Sequence, residues 1–144
     1  MNNKDLIKYF YEVIVSEHRL DELPKYISEH CAAKNGEKSV FLGLEGMKQH
    51  ISALKKTYPD LTLKVIRQFA EDDYVISELI MRGTHQGQFL GITPTGHVLK
   101  IAGINIDKVS EGKIVEHAGV ANTFETFYEH HLIKPVYKSD VTTN

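Results

Sequence analysis

The segment formed by residues 83–96 constrains the fold more than any other part of the chain. It runs G-T-H-Q-G-Q-F-L-G-I-T-P-T-G and contains four glycines, one proline and one histidine. These residues interrupt two runs with the pattern of long strands, so we expect a structured crossover between them. A second segment, residues 111–117, predicts a hairpin turn that leads into a last strand ending at Asn122. The second half of the chain is therefore expected to form a sheet.

The first part of the chain has helical patterns instead. Apolar residues recur at helical spacing over residues 4–16 and 45–58, and a short helix is predicted over residues 20–27. Residues 35–38, Asn-Gly-Glu-Lys, predict a loop. Near the end of the chain, residues 124–132 predict a short closing helix.

From Leu61 onward the hydrophobic period changes to two, which predicts strands. After the strand that starts there, further strands are expected over residues 74–85, 97–109 and 114–122. Helices followed by strands joined through hairpins predict an α+β fold, with helices packed on the concave face of a curved antiparallel or mixed sheet. We expect one domain over residues 1–138 and a flexible tail over residues 139–144.

Charge and cysteine content exclude several classes of protein. Lys and Arg number 17 against 19 Asp and Glu, which gives a net charge of -2 without a basic block. A nucleic-acid partner is therefore not expected, because phosphate binding needs clustered positive charge. The lone Cys31 allows neither an internal disulfide nor a cysteine-rich zinc site. No stretch approaches the roughly 18 apolar residues of a membrane span, so the sequence predicts a cytoplasmic protein without a membrane partner.

Polar residues on the inward face of the last two strands are the candidates for chemistry. A bent sheet capped by helices leaves a pocket in which a small ligand can bind. Strand alternation places Asn105 and Asp107 on the inward face. Glu116 and Asn122 share the inward parity of the last strand if that strand is regular, with His117 pointing away. A bulge would reverse this assignment.

Several motifs resemble the SnoaL-like polyketide cyclase family of the nuclear-transport-factor-2-like superfamily, whose domains are cone-shaped. They are G-T-H-x-G-x-F-x-G-x-x-P-T-G, E-G-K-I-V-E-H and the Tyr-Pro-Asp-Leu junction at residues 58–61, and the resemblance covers about residues 58–122. It implies intramolecular aldol ring closure on a polyketide ester without metal or cofactor, and pairing of two chains through the sheet. In the family a tryptophan follows Glu-His, and an aspartate four residues later transfers the proton. Here these positions are Ala118 and Asn122.

Three interpretations of Asn122 remain open. It could still orient a carbonyl group without transferring a proton, since an amide cannot carry one. It could instead cap the helix predicted over residues 124–132, with Glu125 completing a capping box. In the third interpretation the proton-transfer role has moved to His85 or Glu116.

The candidate residues fall into two groups. The catalytic candidates are His85, Asn122 and Glu116, and the substrate-binding candidates are His30, Asn105, His117 and Phe89. The ordinary pKa of histidine suits His85 for proton transfer, although its ring could simply stabilise the glycine-rich crossover. His30 could face the cavity or lie on the surface. No pair of the eight histidines has H-x-x-x-H spacing, so no metal site is predicted.

We expect a protein that binds a small, largely apolar carbonyl compound and catalyses cofactor-free proton transfer of the cyclase or isomerase kind. The alternative is a non-catalytic ligand-binding or dimeric association module of the same fold. A hydrolase or dehydratase has less support, because no carboxylate-histidine pair can be placed from the sequence. Ile80, Ile104 and Ile106 mark the strand face expected to form a homodimer.

Overall fold

The computed structural model of this chain describes residues 1–137, so the predicted tail at residues 139–144 lies outside the described residues. Between α1 and α2 the chain forms a π-helix (Phe10–Val15) and a 3-10 turn (Leu20–Glu22). The α-helices and strands are α1 (Asn3–Tyr9), α2 (Leu23–Tyr26), β1 (Ile27–Asn35), β2 (Lys38–Phe41), α3 (Gly43–Thr57), β3 (Thr62–Glu71), β4 (Tyr74–Thr84), β5 (Val98–Ser110), β6 (Lys113–Ala121) and α4 (Thr123–Glu129).

The predicted first helix changes type midway. Its start is capped by Asn2, whose side-chain oxygen accepts a hydrogen bond from the Asp5 N–H at 2.8 Å. After Tyr9 the chain widens into the π-helix, in which the Ser16 N–H reaches back to the Tyr11 carbonyl. Tyr11 lies on the buried side of the helix with Ile7, Phe10 and Ile14, as the i, i+3, i+4, i+7 spacing of these residues indicates.

The six strands form one open sheet in the order β2-β1-β6-β5-β4-β3. Strand β1 pairs with β6 in parallel and the other neighbours are antiparallel, so the sheet is mixed and the predicted α+β class is confirmed. The sequence misses β1 and β2: the helix predicted to Ile27 ends at Tyr26, and the predicted loop is only the turn between these strands. Both strands are rich in charged and small residues, which hide the alternation that indicates a strand.

A bulge between β5 and β6 decides which residues of β6 face inward. Asp107 lies directly opposite His117 and Lys108 opposite Glu116, and the register then shifts before Val109. Because residues directly opposite each other share a face, His117 points inward with the fully buried Asp107. The inward placement expected for Glu116 in a regular strand is therefore wrong, and the alternative with a bulge is correct.

The helices pack on one face of the sheet and leave a cavity between the two layers. On the sheet side the residues of β4 that face the helices are buried or half-buried, among them Ser77 and Leu79. Phe127 of α4 and Phe10 of the π-helix are among the largest fully buried side chains. Within residues 1–137, no helix has both the length and the apolar character needed to cross a membrane.

Candidate active site

The cavity between the helices and the sheet has a volume of about 430 Å³, within the range of small-molecule sites. Most of its wall is apolar. Helix α3 contributes Met47, Ile51 and Leu54, and the sheet contributes residues such as Leu79, Met81 and Ile101. The polar side chains that face it come from every layer: Tyr11, Lys34, Asn35, His50, Asn105 and His117.

A network of three side chains lies at the inner face of the sheet. The Tyr11 hydroxyl donates to Oδ2 of Asp107 at 2.6 Å, and Nδ1 of His117 lies 2.7 Å from Oδ1 of the same carboxylate. The Tyr11 hydroxyl is also 3.4 Å from Nδ1 of His117. These residues come from the π-helix, β5 and β6, so only the folded chain brings them together.

The carboxylate of Asp107 determines where His117 carries its proton. Asp107 is fully buried, and a buried carboxylate needs partners that donate hydrogen bonds to it. Tyr11 supplies one donor, and the contact at 2.7 Å requires the proton of His117 on Nδ1 when Asp107 is ionised. The other ring nitrogen, Nε2, then has a free lone pair, and within residues 1–137 it makes no hydrogen bond. His117 can therefore accept a proton from a molecule in the cavity.

Tyr11 is held in its protonated form. Burial raises the pKa of its phenol well above the usual value, and the charge of Asp107 and the hydrogen bond to it act in the same direction. A hydrogen bond with Asn105 opposes the increase. Tyr11 is therefore a neutral donor that orients Asp107 near neutral pH.

Asn105 occupies a place that depends on a glycine in the neighbouring strand. It lies directly opposite Gly119 of β6, and a Cβ at residue 119 would be 2.0 Å from Oδ1 of Asn105. Only glycine lets the amide occupy this position. The backbone of β6 thus fixes the side chain that contacts Tyr11.

His50 lies beside His117 at the cavity wall. The ring centroids are 6.1 Å apart, and both residues line the cavity wall. The residue lies at the exposed rim of the cavity. Partial burial of its ring there lowers the pKa of His50, and protonation of His117 lowers it further. His50 is therefore a neutral imidazole near neutral pH.

Cys31 lies beneath the network and takes no part in it. Burial raises the pKa of its thiol to about 11, with smaller contributions from the charges of Asp107 and Glu116. The thiol is fully buried and protonated near neutral pH, so it is an unreactive packing group. Within residues 1–137, no group of three or more His, Cys, Asp or Glu side chains is placed to bind a metal ion.

Two of the seven residues proposed from the sequence lie at the cavity: Asn105 and His117. The structure does not bring the other five to it. The His30 side chain is 83% exposed beside Glu29, which fits the surface interpretation. Glu116 lies near Lys34, with 4.0 Å between the charged atoms. Phe89 packs edge-on against Phe127, with ring centroids 5.7 Å apart.

His85 is enclosed in a separate part of the core. It is fully buried between Tyr58 and Phe127, and its Nδ1 lies 3.0 Å from the Thr95 hydroxyl. Its backbone N–H donates to the His97 carbonyl, which ties together the two ends of the crossover. Within residues 1–137, Nε2 of His85 has no hydrogen-bond partner. This placement fits the interpretation in which His85 stabilises the crossover.

Asn122 is exposed and precedes α4, but its side chain makes no capping hydrogen bond. The predicted capping box is therefore wrong. The backbone carbonyl of Asn122 instead accepts hydrogen bonds from the Thr126 N–H at 3.1 Å and the Thr126 hydroxyl at 2.6 Å. The first of these is the first backbone hydrogen bond of α4, and the Thr126 hydroxyl adds a second donor to the same carbonyl.

Three residues of the site are not among those proposed from the sequence: Tyr11, His50 and Asp107. Asp107 is predicted to face inward but not to take part in chemistry. A signal for His50 exists, because Met47, His50, Ile51 and Leu54 follow the i, i+3, i+4, i+7 spacing of one helix face. Tyr11 has the same signal, because Ile7, Phe10, Tyr11 and Ile14 also follow the i, i+3, i+4, i+7 spacing.

Comparisons with known proteins agree with this architecture. The family model for SnoaL-like polyketide cyclases matches residues 5–129, and the chain belongs to that family. A comparison of the sequence with curated proteins gives no match.

Solved structures share the fold. IdmH of Streptomyces antibioticus, named a candidate polyketide cyclase, is 23% identical with a TM-score of 0.78, covering 91% of this chain and 99% of its own. AclR of Streptomyces galilaeus, named a candidate hydroxylase, is 26% identical with a TM-score of 0.78, covering 95% of this chain and 89% of its own. A candidate polyketide cyclase of Acidithiobacillus ferrooxidans is 19% identical with a TM-score of 0.76, covering 88% and 92%.

Proposed function

We propose that this chain binds a small, largely apolar carbonyl compound in its cavity and transfers a proton on it, as a cyclase or isomerase does. The observation that carries the proposal is the hydrogen bond between Asp107 and His117 at 2.7 Å, at the wall of an apolar cavity. His117 then takes the role that the family assigns to an aspartate at the position of Asn122. The acid and base are the protein's own side chains.

The chemistry starts with removal of a proton from the carbon next to the carbonyl group. Nε2 of His117 accepts this proton, the C–H electron pair forms a carbon-carbon double bond, and the carbonyl π pair moves to oxygen to give an enolate. The imidazolium that forms is stabilised by Asp107. The enolate carbon then either takes a proton back, which is isomerisation, or attacks a second carbonyl, which closes a ring and leaves an alkoxide that takes the proton.

Proton exchange tests this proposal without knowledge of the natural substrate. 2-Tetralone is a bicyclic, mostly apolar ketone whose proton at C1 exchanges with deuterium through its enolate. In buffered D₂O, we expect the wild-type protein to accelerate the loss of the C1 proton signal in NMR spectra. His117→Asn keeps a donor to Asp107 but has no Nε2, so exchange should fall by about 100-fold or more.

A matched control is His30→Asn, which changes an exposed histidine outside the cavity. This variant should exchange the probe at the wild-type rate. If His117→Asn also did so, His117 would not be the base. If 2-tetralone bound to the wild type without any acceleration of exchange, the non-catalytic binding module would be the better description.

The hydrogen-bonded pair of Asp107 and His117 also favours a second candidate function, that of a hydrolase or dehydratase. A histidine held by a buried carboxylate can activate water as well as a C–H bond. 1-Naphthyl acetate provides a matched probe of similar size. Hydrolysis that is lost in His117→Asn, together with absent exchange of 2-tetralone, would favour this candidate over the cyclase or isomerase.

We also propose a homodimer that forms through the outer face of the sheet. Large hydrophobic residues are exposed there on three neighbouring strands: Ile76, Ile104, Ile106 and Val120. Ile76 lies directly opposite Ile106, and Ile104 opposite Val120, so the apolar side chains form one continuous patch. A patch of this kind on a monomer would leave apolar surface in water.

Substitution of Ile106 by lysine tests the dimer. Ile106→Lys places a charge in the middle of the patch, and we expect sedimentation to change from a dimer to a monomer. Lys100→Ile, at an exposed position of the same strand, provides a control for altered surface charge. An unchanged mass for Ile106→Lys would contradict this interface.

A further inference from the structure

His50 is the polar group that α3 presents to the cavity. The other residues of this helix at the cavity wall are Met47, Ile51 and Leu54, all apolar. Its ring lies beside that of His117, with 6.1 Å between the centroids. A molecule bound in the cavity against this part of the wall would therefore meet both histidines.

The two histidines differ in their partners. His117 has a carboxylate on Nδ1, whereas His50 makes no hydrogen bond within residues 1–137. The titratable groups that face the cavity with His50 are Tyr11, Lys34 and His117, and Asp107 lies behind them. Partial burial lowers the pKa of His50, and the charge of His117 acts in the same direction. His50 is thus a neutral imidazole with an N–H free to donate.

We infer that His50 is a second catalytic residue, whose N–H donates a hydrogen bond to the carbonyl oxygen of the bound compound while His117 removes the neighbouring proton. This inference rests on the proposed function for the identity of the reaction. Negative charge moves from the C–H bond to the carbonyl oxygen as the enolate forms. A donor already aimed at that oxygen stabilises the charge without reorganisation.

The division of roles follows from the two environments. The His117 imidazolium that results from proton transfer is stabilised by Asp107, so His117 is the better base. Within residues 1–137 His50 forms no ion pair with a carboxylate that could stabilise its charged form, so it acts as a hydrogen-bond donor rather than a base. No proton needs to leave His50 during the step: the proton taken by His117 returns to the product.

Exchange of 2-tetralone provides the first test. His50→Leu removes the N–H and keeps an apolar side chain, and we expect exchange to slow by about 100-fold, the usual effect of losing one oxyanion donor. His50→Gln keeps an N–H donor and should recover part of that loss. Gln49→Leu, at an exposed neighbouring position of α3, should exchange the probe at the wild-type rate. Equal rates for wild type and His50→Leu would overturn the inference.

Binding provides a second test that needs no turnover. Tetralin has the carbon skeleton of 2-tetralone without its oxygen, and a ketone oxygen can only accept a hydrogen bond. The ratio of the two affinities, measured by calorimetry, therefore reports a donor at the oxygen. We expect His50→Leu to lower the ratio in favour of 2-tetralone by about tenfold, the size of one lost neutral hydrogen bond, and to leave tetralin binding unchanged.

The outcomes separate this inference from the proposed function. A ratio that falls in His50→Leu, without acceleration of exchange by the wild type, would support His50 as the donor and reject proton transfer. Exchange that requires His117 but proceeds equally in His50→Leu would keep the proposed function and overturn the inference. An affinity ratio that is the same in wild type and His50→Leu would also overturn it.

Discussion

His117 and His85 both point to the helix side of the sheet, yet they occupy opposite kinds of environment. His117 has Nδ1 against the Asp107 carboxylate and lines an apolar cavity. His85 is fully buried between Tyr58 and Phe127, with the Thr95 hydroxyl at its Nδ1. A histidine can act as a base when one nitrogen is held and the other faces a space that a substrate can enter. By that criterion His117 is placed to act as a base, whereas His85 is placed to stabilise the fold.

The largest effect is expected from the carboxylate that distinguishes the two histidines. In Asp107→Asn the amide can donate to Nδ1 of His117, which moves the imidazole proton to Nε2 and removes the free lone pair. We expect exchange of 2-tetralone to fall roughly 1,000-fold, which corresponds to about 4 kcal/mol of activation free energy. NMR spectra in D₂O provide the measurement.

The control is Asp72→Asn, which makes the same chemical change in the exposed turn before β4. Its exchange rate should match the wild type. If Asp107→Asn folded normally and kept full exchange, the carboxylate would not distinguish His117 from His85, and the comparison would fail.

The second prediction concerns His85. His85→Ala leaves a void between Tyr58 and Phe127, and we expect the free energy of unfolding to decrease by about 2–3 kcal/mol. Exchange of 2-tetralone by the folded variant should stay at the wild-type rate, because His85 does not line the cavity. Urea denaturation and the exchange assay measure the two quantities on the same sample.

His97→Ala is the matched control, since His97 is exposed and should cost little stability. A loss of exchange in His85→Ala with 2-tetralone still bound would reverse the comparison. It would support the interpretation in which the proton-transfer role has moved to His85.

Much of the fold follows from the sequence, because local periodicity determines it. The spacing of apolar residues predicts α3 and the four long strands to within a few residues, and alternation places Asn105 and Asp107 inward. The β1–β2 hairpin is missed because its strands are stabilised by pairing with β6 and with each other rather than by an apolar face. Backbone pairing of this kind leaves no hydrophobic pattern in the sequence.

The site is less predictable, because a local irregularity helps to create it. The bulge after Lys108 turns His117 inward and Glu116 outward. It shifts which residues of β6 share a face, and a bulge has no reliable pattern in a single sequence. The inward placement of Asn105 is predicted correctly because β5 is regular up to Asp107 in its pairing with both neighbours.

A smaller effect is expected at the glycine that makes room for Asn105. In Gly119→Ala the new Cβ would lie 2.0 Å from Oδ1 of Asn105, so the amide must move away from Tyr11. We expect the free energy of unfolding to decrease by about 1–2 kcal/mol, the usual cost of overpacking. Urea denaturation measures this change in free energy. Because Asn105 belongs to the network around His117, the variant tests the part of the comparison that concerns His117.

A double-mutant cycle separates this clash from a general effect on β6. Once Asn105→Ala has removed the amide, Gly119→Ala should cost much less than in the wild type. Equal costs in both backgrounds would mean that the strand backbone, rather than Asn105, requires glycine at this position.

The smallest effect concerns His50, the third histidine, whose pKa is lowered by partial burial and by the charge of His117. As pH falls below the ordinary pKa of histidine, the unfolded chain binds a proton at residue 50 that the folded chain does not, so stability decreases. His50→Leu removes this proton uptake, and its stability should decrease less than that of the wild type between pH 7 and pH 5. Urea denaturation across this range measures the difference, and His30→Leu, at an exposed histidine, should behave as the wild type. An identical decrease in wild type and His50→Leu would mean that the ring of His50 is solvated like a surface histidine. It would then lack the desolvated setting in which a neutral donor is most effective, and the contrast within the core would reduce to His117 and His85.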